Sequence, residues 1–167
     1  VKKEFVQLIT LNKNINDVQK AVLEMKYYYD EEKNQVTAQI VSNIELKNTK
    51  PTWKLSNDKK VYTKIFKENT KYSTPVQDKL GNVIDVNIEI VDVKQLKIKI
   101  EYELNKKTNQ VIAKMNSNIC LKDTKPTWSL SKDKKTYSKV FDENMQYHTR
   151  VESINGEILN TELNIYQ

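Results

Sequence analysis

The feature that most constrains the fold is self-repetition: residues 18–92 and 93–167 align without a gap at an offset of 75, and 31 of those 75 positions are identical. Asn34-Gln35-Val36-Thr37-Ala38 returns as Asn109-Gln110-Val111-Ile112-Ala113, and Thr49-Lys50-Pro51-Thr52-Trp53 returns as Thr124-Lys125-Pro126-Thr127-Trp128. A period of 75 exceeds the roughly 20–50 residues of a solenoid repeat and has the size of a small closed domain, so each copy should own its core. Residues 1–17 fall in the same phase as 76–92, with Val1, Ile9, Asn12, Ile15 and Asp17 matching Val76, Ile84, Asn87, Ile90 and Asp92. The expected division is a terminal strand of a truncated repeat, or a linker, over 1–17, then one module over 18–92 and another over 93–167.

Within a copy the apolar residues recur with period two, the mark of strands that bury one face. Leu96, Ile98, Ile100, Tyr102 and Leu104 interleave with Lys97, Lys99, Glu101 and Glu103, and Ala21, Leu23, Met25, Tyr27 and Tyr29 occupy the equivalent positions. Val36, Ala38 and Ile40 make a second inward face. Ile84, Val86, Ile88 and Ile90 make a last one, echoed by Leu159, Thr161, Leu163 and Ile165. The only two glycines, Gly81 and Gly156, recur at the same offset, and Asn155-Gly156 suits a two-residue type I′ hairpin turn. Residues 13–25 can be written as a helix, but their copy at 88–100 reads as strand, which favours a linker leading into a strand. Six or seven short strands at this spacing predict an all-β fold: two tandem immunoglobulin-like antiparallel β-sandwich modules.

The run from Val36 to Trp53, the stretch Tyr62-Thr63-Lys64-Ile65-Phe66-Lys67-Glu68-Asn69 and the hairpin Asp78-Lys79-Leu80-Gly81-Asn82 together resemble bacterial Ig-like modules of clostridial and other Gram-positive surface or secreted proteins. The second copy keeps Phe141, Glu143 and Asn144 but has Ser153-Ile154-Asn155-Gly156-Glu157 in place of the hairpin motif, so a role resting on that Asp or Asn is not carried over to it. The resemblance implies a non-catalytic stalk or adhesion region, extracellular, at the cell wall or secreted. It equally admits an accessory carbohydrate-binding region of a secreted glycan-active enzyme. The chain opens on Val1 without a signal-like segment and is read as a piece of a longer polypeptide.

Composition narrows the partners. Of 28 cations all but Arg150 are Lys, poor equipment for bidentate phosphate or base recognition, so nucleic acid is not an expected partner despite the net charge of +6. No stretch approaches the roughly 20 apolar residues of a membrane span, and no membrane insertion is expected. The expected partner is a protein or a cell-surface glycan. Strand-mediated self-association is a further option, because an orphan strand over residues 5–11 needs either the first module's edge or another chain.

Candidate sites are few. Cys120 is the only cysteine and His148 the only histidine, and neither belongs to a catalytic motif. No catalytic residue, cofactor or metal is expected. Asp30, Glu31 and Glu32 are acidic neighbours, but the second copy has Asn105, Lys106 and Lys107 there, which argues against calcium. Glu68 and Glu143 are expected to fix a turn. The binding candidates are aromatic: Tyr28, out of phase with its inward neighbours and therefore exposed, and Trp53 and Trp128, which either fill a core or stack on a sugar ring. Lys64 and Lys139 lie between aromatic positions, where they either snorkel or form a Lys–Asn cross-link of the kind found in some pilin modules.

Overall fold

The computed structural model describes residues 20–167 and the backbone of the strand Lys2–Ile9. The chain divides into two compact units, Val1–Glu31 with Gln35–Val93 and Glu32–Asn34 with Lys94–Gln167. The described residues form no helix, and every strand pairing is antiparallel.

The first unit contains β1 (Lys2–Ile9), β2 (Leu23–Asp30), β3 (Gln35–Ser42), β4 (Lys54–Leu55), β5 (Val61–Phe66), β6 (Thr70–Gln77) and β7 (Val83–Ile90). One sheet runs β1-β2-β3-β5-β4 and the other is the hairpin β6-β7. A stub of strand joins the second layer, because Leu46 bridges Asp78, Lys47 N–H donates to the Gln77 carbonyl (2.8 Å) and Lys79 N–H to the Glu45 carbonyl (2.9 Å). With β1 set aside, the layers follow the A-B-E-D and C-F-G order of an immunoglobulin constant-type sandwich. The second unit repeats this plan with β8 (Ile98–Asn105), β9 (Gln110–Ser117), β10 (Ser129–Leu130), β11 (Thr136–Phe141), β12 (Met145–Glu152) and β13 (Ile158–Ile165), ordered β10-β11-β9-β8 and β12-β13. Its stub is the Leu121–Ser153 bridge. Both units are thus immunoglobulin-like sandwiches.

Period-two patterning places the cores. In β7 every second residue, Ile84 through Ile90, is buried while its neighbours face water. The first core gathers Leu23, Met25, Val36, Ala38, Ile40, Tyr62, Val86 and Ile88, and the second gathers Val111, Ala113, Met115, Tyr137, Leu163 and Ile165. Burial of each large apolar side chain contributes roughly 1.5–3 kcal/mol. Tyr62 and Tyr137 add a polar tie. Both are fully buried, and each phenol donates to a carbonyl, Lys47 or Lys122, while accepting from the Thr49 or Thr124 N–H at 3.1 Å. Tyr27 and Tyr102 make a second tie between layers, accepting from the backbone N–H of Glu89 (3.2 Å) and Asn164 (3.0 Å).

The hairpin turns differ from the type I′ expectation. Gly81 and Gly156 have φ of +90° and +92°, but Asn155 is not among the residues of positive φ. Gly156 N–H donates to the Ser153 carbonyl (2.9 Å) and Ser153 N–H to the Glu157 carbonyl (2.8 Å), a three-residue loop in which only the glycine is left-handed. The Ser153 hydroxyl closes the loop, accepting from the Glu157 backbone N–H (3.0 Å) and donating to Asn155 Oδ1, with Asn155 outside the positive-φ region. A Cβ at either glycine meets nothing within 4 Å, so Gly81→Ala and Gly156→Ala are expected to cost only the backbone penalty, about 1–2 kcal/mol, read from denaturant unfolding.

The first strand of each sandwich behaves differently in the two units. β2 lies between β1 and β3, and Leu23, Met25, Tyr27 and Tyr29 are buried. β8 pairs only with β9 among the described residues, leaving Ile98 and Ile100 half-buried and Tyr102 and Leu104 exposed at 45% and 49%. The expectation of a fully buried face over Ile98–Leu104 is therefore corrected. Periodicity sets which way a side chain points, but a missing neighbour strand decides whether it is covered.

β1 pairs with β2 over its whole length, from Lys2 opposite Asp30 to Ile9 opposite Leu23. The residues in phase with β7 are 8–15, so β1 starts six positions upstream of that phase, and 10–19 lie outside the described residues. Residues 23–25 are strand rather than helix. The described residues contain no helix long and apolar enough to cross a bilayer.

Candidate functional site

The polar chemistry of each unit concentrates around the Pro-Thr-Trp turn. Trp53 and Trp128 sit just before the short strands β4 and β10, and both are buried, 5% and 6% exposed. Trp53 meets Phe66 edge-on at 5.9 Å, and Trp128 meets Phe141 and Tyr147 at 6.1 Å each. The Trp128 indole N–H is buried without a partner. No indole face is left for a sugar ring to stack on. Tryptophan emission is accordingly expected at the short-wavelength end of its range, shielded from acrylamide and unchanged by soluble polysaccharides or mucins in a fluorescence titration.

Lys50 and Lys125, within the same repeated motif, cross to the other layer. Lys50 Nζ donates to Thr74 Oγ1 and to the Pro75 carbonyl (3.2 Å), and Lys125 Nζ donates to Thr149 Oγ1 and to the Arg150 carbonyl (3.2 Å). Burial depresses both pKa values; the Lys64 ammonium lowers that of Lys50 further, whereas at Lys125 the neighbouring Tyr147 raises the value and Lys139 lowers it to a smaller extent. The sequence marks these lysines as repeated, but their partners lie 24 residues downstream, a distance that no local pattern encodes.

Lys64 and Lys139 extend over aromatic rings, Phe66 at 5.3 Å and Phe141 at 5.7 Å, and Lys139 Nζ also donates to the Thr127 carbonyl (3.4 Å). These contacts have the geometry of a snorkelling lysine whose ammonium rests on a ring face. Tyr28 is half-buried rather than exposed, opposite Glu4 of β1 and Thr37 of β3.

Asn69 and Asn144, rather than the glutamates before them, tie down the ends of their units. Asn69 exchanges two hydrogen bonds of 2.9 Å with the Val93 backbone, and Asn144 Oδ1 accepts from the Gln167 N–H at 2.6 Å, whereas Glu68 and Glu143 are exposed.

The turn at Asp78 holds a buried carboxylate that accepts from Leu80 N–H (3.0 Å), Asn82 N–H (2.9 Å), Asn82 Nδ2 (2.9 Å) and Ala21 N–H (3.3 Å). Burial alone would raise its pKa, but the converging donors outweigh it and hold the carboxyl below the usual range. In the second unit Ser153 replaces Asp78 and Glu157 replaces Asn82, and Glu157 Oε2 accepts from Leu96 N–H at 2.8 Å, the counterpart of Ala21. The acid has moved to the other side of the turn and still serves the same backbone donor. The role is therefore kept in the second copy despite the altered motif.

Cys120 is buried with Sγ 3.6 Å from the Asp133 carbonyl oxygen, while His148 is exposed on β12 opposite Glu162. His148, Thr149, Arg150, Asn160, Thr161 and Glu162 line a shallow groove of about 380 Å³ on the outer face of β12-β13. Among the described residues no three His, Cys, Asp or Glu side chains converge as metal ligands would. Comparison of the chain with protein-family models, with curated proteins and with solved structures gave no match.

Proposed function

We propose that this chain is a non-catalytic structural and binding region of a bacterial cell-surface or secreted protein, in which the modules act as stalk or adhesion units. The observation that supports this reading is what the two copies share and what they do not. Identities include Trp53 and Trp128, Tyr62 and Tyr137, and Lys50 and Lys125, residues that hold the sandwich together. The outward faces of β2 and β6 diverge from those of β8 and β12: Glu24, Lys26 and Tyr28 against Lys99, Glu101 and Glu103, and Ser73 against His148. The exposed residues that the copies share, such as Pro51 and Pro126, Asp58 and Asp133, and Glu68 and Glu143, lie in turns and bends, whereas the outward faces of these strands share no group that a site repeated in each module would keep. The bacterial, extracellular setting rests on the resemblance of the Val36–Trp53 and Asp78–Asn82 motifs to clostridial and Gram-positive surface modules.

The test is protease shaving of intact cells that make the full-length protein. Release of peptides from residues 20–167, together with labelling of unpermeabilised cells by an antibody raised against this chain, is the expected result. Recovery only from lysed cells would contradict the proposal. Intact mass spectrometry addresses the cross-link option at Lys64 and Lys139, since each Lys–Asn bond removes one ammonia from the sequence mass.

A further inference from the structure

The edge of β8 carries a self-complementary pattern of charge. Its outward row reads Lys99, Glu101, Glu103, continued by Lys97 immediately before the strand, all exposed, and its inward row reads Ile98, Ile100, Tyr102, Leu104. One half of the strand is therefore positive, the other half negative, and the opposite face is apolar throughout. Antiparallel strands place residues of like facing directly opposite one another. If two copies of β8 run antiparallel with Ile100 opposite Ile100, then Lys99 meets Glu101, Lys97 meets Glu103, and Ile98 meets Tyr102. Every charged pair across that two-fold axis is of opposite sign, and every pair on the other face is apolar. The register that puts Glu101 opposite itself joins Lys99 to Glu103, but sets two carboxylates face to face.

Three observations mark this edge as open among the described residues and able to take a further strand. β8 ends its sheet and has β9 as its only partner among the described residues. Tyr102 and Leu104 are about half exposed where their counterparts Tyr27 and Tyr29 are buried. The counterpart strand β2 shows that a further antiparallel strand fits this edge of the sandwich, since β1 pairs there along all eight residues. The outward row of β2, by contrast, is Val22, Glu24, Lys26, Tyr28 and has no such charge symmetry.

We infer that β8 is a homotypic docking edge, and that its occupant is β8 of a second copy of this chain. The contact joins the two four-stranded sheets β10-β11-β9-β8 into one continuous sheet across a two-fold axis, an isologous interface. A row of lysines alone would defend an edge strand by repulsion. Lysines followed by glutamates repel a parallel copy and attract an antiparallel one, which makes the row a selective code. Glu101 is held by Lys99 at 3.3 Å and Glu103 by Lys114 at 2.9 Å in the single chain, so the charges are already ordered along the edge before a partner arrives.

The test uses the whole chain and two charge variants. Sedimentation equilibrium from micromolar to millimolar protein is expected to show reversible association limited to twice the chain mass, with NMR line broadening confined to β8 and its neighbours. Glu101→Lys with Glu103→Lys, and separately Lys97→Glu with Lys99→Glu, make the outward row of one sign and are each expected to be monomeric. An equimolar mixture of the two variants is expected to recover the dimer. Reversal of all four charges in one chain is expected to restore self-association. A parent chain that stays monomeric at millimolar concentration overturns the inference, as does single-sign variants that dimerise like the parent or a mixture no heavier than its components.

Discussion

Tyr62→Ala is expected to unfold the first unit while the second keeps its native spectrum, and Tyr137→Ala is expected to do the reverse. Each tyrosine is fully buried in its own apolar cluster, and its hydroxyl both donates to and accepts from the loop that carries the stub strand. Truncating a buried aromatic to alanine costs about 3–5 kcal/mol. Loss of its two hydrogen bonds adds roughly 1 kcal/mol each and strands the Lys47 or Lys122 carbonyl and the Thr49 or Thr124 N–H. A domain of this size has a total stability of roughly 4–11 kcal/mol, so the substitution removes most or all of it. Heteronuclear NMR reads the outcome directly: about half of the amide resonances should collapse to the narrow dispersion of an unfolded chain. Simultaneous collapse of both halves would mean that the clusters fold as one cooperative body. Tyr62→Phe, which keeps the ring and loses only the hydroxyl, should leave the unit folded and cost about 1–2 kcal/mol.

The same residues show how far the sequence reaches. Alternation within the repeat located β2, β3 and β7 and their copies with the faces that point inward, because period-two burial is a local property of a strand in a half-covered sheet. It could not separate β8 from β2, whose inward rows are equally apolar, because coverage of Tyr102 and Leu104 depends on whether another strand lies alongside. Trp53 and Trp128 were legible as paired aromatics, but whether an indole is core or platform depends on Phe66, Phe141 and Tyr147, which come from other strands. Lys50 and Lys125 were visible only as repeated letters. Their partners Thr74 and Thr149 belong to the opposite layer, and Tyr27 reaches across 62 residues to Glu89. Asn155 sits beside Gly156 in a pair that favours one hairpin type, yet the turn closed by the Ser153 hydroxyl and the Ser153–Glu157 backbone is another.

That turn supplies the second large effect. Asp78→Ser is expected to destabilise the first unit by about 3 kcal/mol at neutral pH, since one buried carboxylate there accepts four hydrogen bonds and charge-assisted bonds contribute roughly 1.5–3 kcal/mol each without being additive. Transplanting the second unit's solution should undo most of the damage. Asp78→Ser with Asn82→Glu places a carboxylate where Glu157 stands, able to accept from Ala21 N–H as Glu157 accepts from Leu96 N–H. Adding Leu80→Asn supplies the partner that Ser153 Oγ has in Asn155, and should complete the rescue. Acid separates this electrostatic account from simple packing. The Asp78 pKa is depressed in the folded chain, so its contribution is fully present above the ordinary carboxyl value of about 3.9 and is lost as the pH falls towards the folded value. The stability gap between the parent and Asp78→Ser should therefore be widest at pH 7 and narrow progressively below about pH 4, measured by denaturant unfolding of the first unit's resonances. A gap that is the same at pH 7 and pH 3 would assign the loss to shape rather than to charge. Failure of the Asn82→Glu transplant to recover stability would mean that the two turns reached their carboxylates by unrelated routes.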